Sequence, residues 1–129
     1  VTIYGDGRQV RDVLDVDDEV NAYVGALRNI DRVAGRAFNL GGGPENAISL
    51  LQLVDEIRGI TDHDVELRFE DWRQGDQRWY VSDTHAARES LELPRPRPWR
   101  EGVARLAEWL ASERGTEVRP LLHLASAAE

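Results

Sequence analysis

Along this chain, short runs that alternate apolar and polar residues give way to stretches with an apolar position every three or four. The first pattern predicts strands and the second predicts helices. Residues 1–4 (Val-Thr-Ile-Tyr) are β-prone and stop at the turn cluster Gly5-Asp6-Gly7. Residues 10–16 alternate and predict a half-buried strand. Asp17 or Asp18 then offers an N-cap for a helix whose buried face is expected to carry Val20, Tyr23, Val24 and Leu27. A short strand is expected over 36–40, ending in Gly41-Gly42-Gly43. Ser49 caps a second helix, with Leu50, Leu53, Val54 and Ile57 in register. A strand over 65–69 and a brief extended stretch over 79–81 flank a polar, arginine-containing segment. Asp83 is placed to cap a short helix through residue 91. Pro94, Pro96 and Pro98 predict an extended break, after which Trp99, Val103, Leu106 and Leu110 mark a last helix. Beyond residue 113 the pattern fades, and residues 114–129 are expected to form a weakly ordered tail.

Strands and helices in turn predict an α/β fold. At 129 residues the chain suffices for one domain, which at this size buries roughly 65–70 % of its unfolded surface. The strands, however, are few and mostly separated by helices, and several want partners that the pattern does not supply. The chain has no methionine, even at position 1, and its first residues already read as a strand. Together these features lead us to expect a portion of a longer protein, with apolar surface left uncovered where the remainder would pack.

Composition removes several function classes. A net charge of −8 is the wrong sign for general nucleic-acid binding. No apolar run approaches the ~20 residues of a membrane span. The absence of cysteine excludes disulfides and thiolate metal sites and fits a cytoplasmic location. All 16 cationic residues are arginines, so this chain supplies no lysine ammonium to any reaction.

The motifs that remain are read against simpler explanations. A dinucleotide fingerprint needs G-x-G-x-x-G, but its third glycine falls on Val10 counting from Gly5, and on Asn46 counting from Gly41. The triple glycine is either a tight turn or a turn that also lets a ligand or a neighbouring loop approach closely. His63, His85 and His123 lack metal-ligand spacing. Ser82 and Asp83 read as helix caps, and Asp15, Asp17, Asp18 and Glu19 as a helix N-terminus favoured by its dipole. Two arginines stand out: Arg11, inside a strand-like run, and Arg73, in the loop Asp71-Trp72-Arg73-Gln74-Gly75-Asp76-Gln77-Arg78. Guanidinium groups bind phosphates through paired charge-assisted bonds. By local pattern these two fit either surface ion pairs or a phosphate site.

The order of these pieces resembles one family. Residues 3–18, containing Tyr4-Gly5-Asp6-Gly7-Arg8-Gln9-Val10-Arg11-Asp12, are similar to the "YGDGxQxRDxxxVxD" stretch of the extended short-chain dehydrogenases/reductases. Phe38-Asn39-Leu40-Gly41-Gly42-Gly43 resembles their "FNxGGG" loop, and residues 71–83 their "RxGDQRxxxxD" segment. The match covers residues 1 to 110 in the family's order. Its wording looks nearest to the CDP-paratose (CDP-tyvelose) 2-epimerase group, with dTDP-glucose 4,6-dehydratases and UDP-glucose 4-epimerases as cousins. The resemblance implies that residues 1–113 are the C-terminal substrate-binding portion of an NAD-dependent nucleotide-sugar epimerase, without its Rossmann half. It implies Thr2, Ile3 and Tyr4 along the nucleotide base, Arg11 and Arg73 on the diphosphate, and Asn46 and Asp76 reaching the ribose or phosphate region. The implied ligand is a nucleotide-diphosphate sugar, CDP-linked by preference, and the implied parent reaction is oxidation, reorientation and reduction of that sugar. The family's Tyr-x-x-x-Lys pair is not in this sequence. Four positions after Tyr4, Tyr23 and Tyr80 stand Arg8, Leu27 and Thr84. No catalytic, NAD-binding or metal-binding residue is therefore assigned to this chain, and NAD is expected on the missing half.

Overall fold

The computed structural model describes residues 1–115. In chain order these form β1 (Thr2–Tyr4), β2 (Val10–Asp12), α1 (Val16–Arg28), α2 (Ile30–Val33), β3 (Ala47–Ser49), α3 (Leu50–Thr61), β4 (Arg68–Glu70), α4 (His85–Leu91) and α5 (Trp99–Arg114). A single 3₁₀ turn, Pro44–Asn46, leads into β3. The α/β expectation is met, although the strands form two ribbons rather than one sheet. β1 runs parallel to β4, with Ile3 opposite Phe69, and β2 runs antiparallel to β3, with Arg11 opposite Ile48.

A few bonds hold the ribbons together. Gly5 N–H donates to Glu70 C=O at 2.8 Å, extending the β1–β4 ladder by one residue. Val10 N–H donates to Arg78 C=O (2.9 Å) and Val10 C=O accepts from Tyr80 N–H (3.1 Å), which lays the 78–80 segment along β2. Gly5 adopts φ +93°, and a Cβ there would sit 2.7 Å from the Trp72 ring. The turn is thus glycine both for its conformation and for the indole packed on it.

Several boundaries differ from expectation for local reasons. β2 stops at Asp12 because the Asp15 carboxylate accepts from Asp17 N–H (2.9 Å) and starts α1 there, two or three residues before the expected cap. The strand expected over 36–40 finds no ladder partner among the described residues. Pairing near residue 65 begins only at Arg68, since its partner β1 begins at Thr2. Ser49 does cap α3, in a reciprocal box with Gln52. Asp83 accepts from His85 N–H (3.1 Å) just ahead of α4, whereas Ser82 does not cap that helix. α5 runs to Arg114 and ends on Gly115 at φ +64°. From residue 116 onward the expected tail lies outside the described residues.

The largest departure is the face that α1 buries. Ala22 and Gly25 turn inward, whereas Tyr23 and Leu27 are 64 % and 73 % exposed. The small face lets α1 approach α4 closely: a Cβ on Gly25 would fall 2.6 Å from Leu91 C=O. The resulting core joins Ala22, Val33, Ala87 and Leu91, flanked by Ala26, Phe38 and Leu93. The stripe Val16, Val20, Tyr23, Leu27 and Ile30 stays uncovered, as do Leu106 and Trp109 on α5. Apolar surface is therefore exposed, mostly on helices but also at Val1, at Phe69 on β4 and at Trp79; within β1, Ile3 is buried. None of the described helices is long and apolar enough to cross a membrane.

The triple glycine is explained by close approach of the chain itself. A Cβ on Gly41 would lie 2.2 Å from the Asp12 carboxylate, and one on Gly42 only 1.8 Å from Val13 C=O. Gly42→Ala should therefore destabilise the protein by about 3 kcal/mol. Gly59→Ala, inside α3 with nothing within 4 Å, should instead stabilise it by about 0.5–1 kcal/mol. Urea midpoints of the two variants are expected to move in opposite directions.

Candidate functional site

The site grows from two strand ends and one loop. β1 delivers Tyr4, and the polar loop returning after β4 lays the Arg73 guanidinium over its ring, 3.6 Å from the centroid. Cation–π stacking at this distance holds a flexible arginine flat while leaving its N–H edges outward. Among the described residues no carboxylate pairs with Arg73. The loop then turns: Asp76 N–H donates to Arg73 C=O (3.1 Å) across Gly75, which adopts φ +81°. That turn aims the Asp76 carboxylate at β2, where Oδ1 accepts from Arg11 Nη2 at 3.0 Å. Arg11 Nη1 donates to Val10 C=O at 2.7 Å. Four of the expected residues, Tyr4, Arg11, Arg73 and Asp76, are thus linked in one assembly.

The other expected residues are placed differently. Thr2 is exposed on the same strand face as Tyr4, by the two-residue period of a strand. Ile3 points the opposite way and is only 4 % exposed, so its side chain serves the interior. Asn46, expected at the ribose or phosphate region, is turned into the interior. It is 2 % exposed, its Nδ2 donates to Arg97 C=O (2.8 Å), and its Oδ1 accepts from Trp99 N–H (2.9 Å). Its amide therefore holds the backbone on either side of Pro98.

Three polar residues that the sequence did not single out support the site. Asp12, next to Arg11, points inward; its Oδ2 accepts from Gly43 N–H (3.0 Å) and Ser82 N–H (3.1 Å). Adjacent strand residues face opposite sides, so an Arg-Asp pair on a strand divides into one outward and one inward charge. Gln9 is buried and donates from Nε2 to Tyr4 C=O (2.8 Å), fixing the backbone beneath the stacked arginine. Arg97 gathers the acidic start of α1. Its N–H donates to Asp18 (2.7 Å), and its guanidinium lies by Asp15, Asp17 and Glu101. Its hydrogen bond to Glu101, joined by the charges of Asp15 and Asp17 against an opposing desolvation, raises its pKa above the ordinary guanidinium value. The acidic run is thus both a helix start, as expected, and the anchor for the proline break.

The histidines take local roles. His63 Nδ1 lies 2.7 Å from Thr61 C=O, and His85 pairs with Glu89 one helical turn on; His123 lies outside the described residues. The assembled site offers guanidinium donors, an aromatic face and one carboxylate. It is equipped to bind and orient an anion, and among the described residues no histidine stands in it to move a proton.

Residues 1–41, which carry Tyr4 and Arg11, match the profile of the NAD dependent epimerase/dehydratase family. The chain belongs to that family. It is 33 % identical over 111 residues to CDP-paratose 2-epimerase of Salmonella typhi, an alignment covering 86 % of this chain and 33 % of the relative. It is 40 % identical over 90 residues to dTDP-glucose 4,6-dehydratase of Streptomyces griseus, covering 69 % and 26 %. In structure it resembles UDP-glucose 4-epimerase from Thermotoga maritima, solved with UDP-glucose: TM-score 0.74, 30 % identity, 88 % of this chain and 35 % of the other. The chain spans about a third of the length of these epimerase/dehydratase relatives.

Asn46→Ala tests the structural placement of that residue. It strands Arg97 C=O and Trp99 N–H in the interior, at about 1–3 kcal/mol for each unpaired group. Chemical denaturation should show a loss of at least about 2 kcal/mol, whereas a ligand-facing asparagine would leave the midpoint in place.

Proposed function

We propose that this chain is the substrate-binding portion of an NAD-dependent nucleotide-sugar epimerase, of the CDP-paratose 2-epimerase type, and that its site clamps the sugar nucleotide's diphosphate. The observation that carries this reading is the Tyr4–Arg73–Asp76–Arg11 assembly, which puts two guanidinium groups on one loop–strand junction. Arg73, stacked and without a carboxylate partner among the described residues, supplies ready donors for phosphate oxygens. Tyr4 and Thr2 line the same face of β1 and offer a surface for the base, while Ile3 supports that strand from below. Asp76 stands between the two arginines, at the phosphate–ribose end. Binding energy on a non-reacting diphosphate serves catalysis by holding the sugar in place for chemistry performed by other groups.

The residues present do not fit NAD. Neither glycine cluster completes the dinucleotide fingerprint, and the Gly41–Gly43 loop is filled from within by Asp12, Val13 and Ser82. Our reading therefore assigns this chain binding and orientation of the substrate alone, and assigns NAD to a Rossmann half packed elsewhere. The uncovered stripe of α1 is the surface we assign to that partner. A cytoplasmic location, expected for a cysteine-free chain, belongs to the same proposal.

Calorimetry of the 129-residue chain with CDP-, UDP- and dTDP-linked glucose tests the reading. A CDP-sugar should bind, and Arg73→Ala and Arg11→Ala should each weaken it by about tenfold or more, as expected for loss of a charge-assisted contact of ~1.5–3 kcal/mol. No heat with any of the three at millimolar ligand would refute it. Stronger binding of UDP- or dTDP-glucose would move the assignment to the 4-epimerase or 4,6-dehydratase type.

A further inference from the structure

The two arginines of the clamp are not equivalent. Arg73 lies flat on Tyr4 with no carboxylate partner among the described residues. Arg11 already has both terminal nitrogens engaged, Nη1 with Val10 C=O and Nη2 with Asp76 Oδ1, and both members of that ion pair are only partly exposed. An incoming anion thus meets one open cation and one that the protein has neutralised.

From this asymmetry we propose that Asp76 is a specificity-determining counter-charge: it competes with the incoming phosphate for Arg11 and so selects against small free phosphates. The inference rests on the diphosphate-clamp reading above. An anion that takes Arg11 must displace the Asp76 carboxylate or settle beside it, and either carries an electrostatic penalty. A nucleotide sugar's diphosphate is esterified at both ends and carries fewer negative charges, so the Asp76 carboxylate repels it less. Free inorganic pyrophosphate presents the same phosphate oxygens with more negative charge, so the penalty falls more heavily on it. Asp76 is held at its station by its own N–H bond to Arg73 C=O, so the residue that blocks one arginine is tethered to the other.

Asp76→Asn keeps the shape and removes the charge, with Asp76→Ser as a second variant should the amide perturb folding. Calorimetry on the full chain compares inorganic pyrophosphate with CDP-glucose, while ligand-free melting confirms that each variant is folded. The variant should bind pyrophosphate about tenfold more tightly and CDP-glucose by a clearly smaller factor, so the preference for the nucleotide sugar falls. In an Arg11→Ala background the gain for pyrophosphate should shrink to about twofold or less, since no arginine is left to release. A preference unchanged within twofold overturns the proposal, as does an equal gain with and without Arg11. Weaker binding of both ligands by the variant also overturns it, because Asp76 would then be contacting the ligand. If CDP-glucose binds neither the parent chain nor the variant, the clamp reading fails and this inference falls with it. If CDP-glucose binds and only the preference is unmoved, the clamp reading stands alone.

Discussion

One carboxylate joins the distant parts of this fold. Asp12 ends β2, and its Oδ2 accepts from Gly43 N–H and Ser82 N–H, segments 31 and 70 residues away in sequence. The charge-assisted bonds are partly buried, where loss of an acceptor leaves two donors without water to replace it. Around this point the chain is so close that neither Gly41 nor Gly42 has room for a side chain. Because Asp12 grips inward, Arg11 must face outward, and the guanidinium assembly inherits its orientation from bonds on the opposite face of the strand.

A second brace works at the other end of the same loop. Asn46 holds the backbone on both sides of Pro98, and Arg97 gathers the carboxylates that open α1. The proline run therefore acts as a strap, fixing the start of α5 against the start of α1. Polar braces carry this weight because the hydrophobic centre is small, built from Ala22, Val33, Ala87 and Leu91. Val16, Val20, Tyr23 and Leu27 of α1 and Leu106 and Trp109 of α5 are left on the outside. These two helices thus bury small residues for close contact, with Trp99 at the start of α5 as the buried large one.

Within the site, charge is divided unequally. Stacking on Tyr4 orders Arg73 without neutralising it, whereas the ion pair with Asp76 orders Arg11 and neutralises it as well. Both devices restrict an arginine's rotamers in advance, but only the second also offsets its charge. The loop from Asp71 to Arg78 is where both devices meet, and its register is set by the Val10 bonds to Arg78 and Tyr80.

Local chemistry written into the sequence was enough to place α3 and α5. Ser49 with Gln52 set the start of α3, the proline run set the start of α5, and the triple glycine announced a close approach. The likeness of residues 3–18 and 71–83 to a known family likewise marked Tyr4, Arg11, Arg73 and Asp76 before their geometry was known. Tertiary structure decided what periodicity is blind to. An amphipathic helix shows which residues are apolar, but α1 turns its small face inward because Gly25 permits contact with Leu91 and the larger stripe does not. Residues 36–40 have strand propensity yet no strand beside them among the described residues, since ladder bonds need a partner that propensity cannot supply. Family likeness put Asn46 near a ribose or phosphate, and nothing local in the sequence marked it as structural. Only the folded chain brings Arg97 C=O and Trp99 N–H to its amide, fifty residues on, and so makes it a brace.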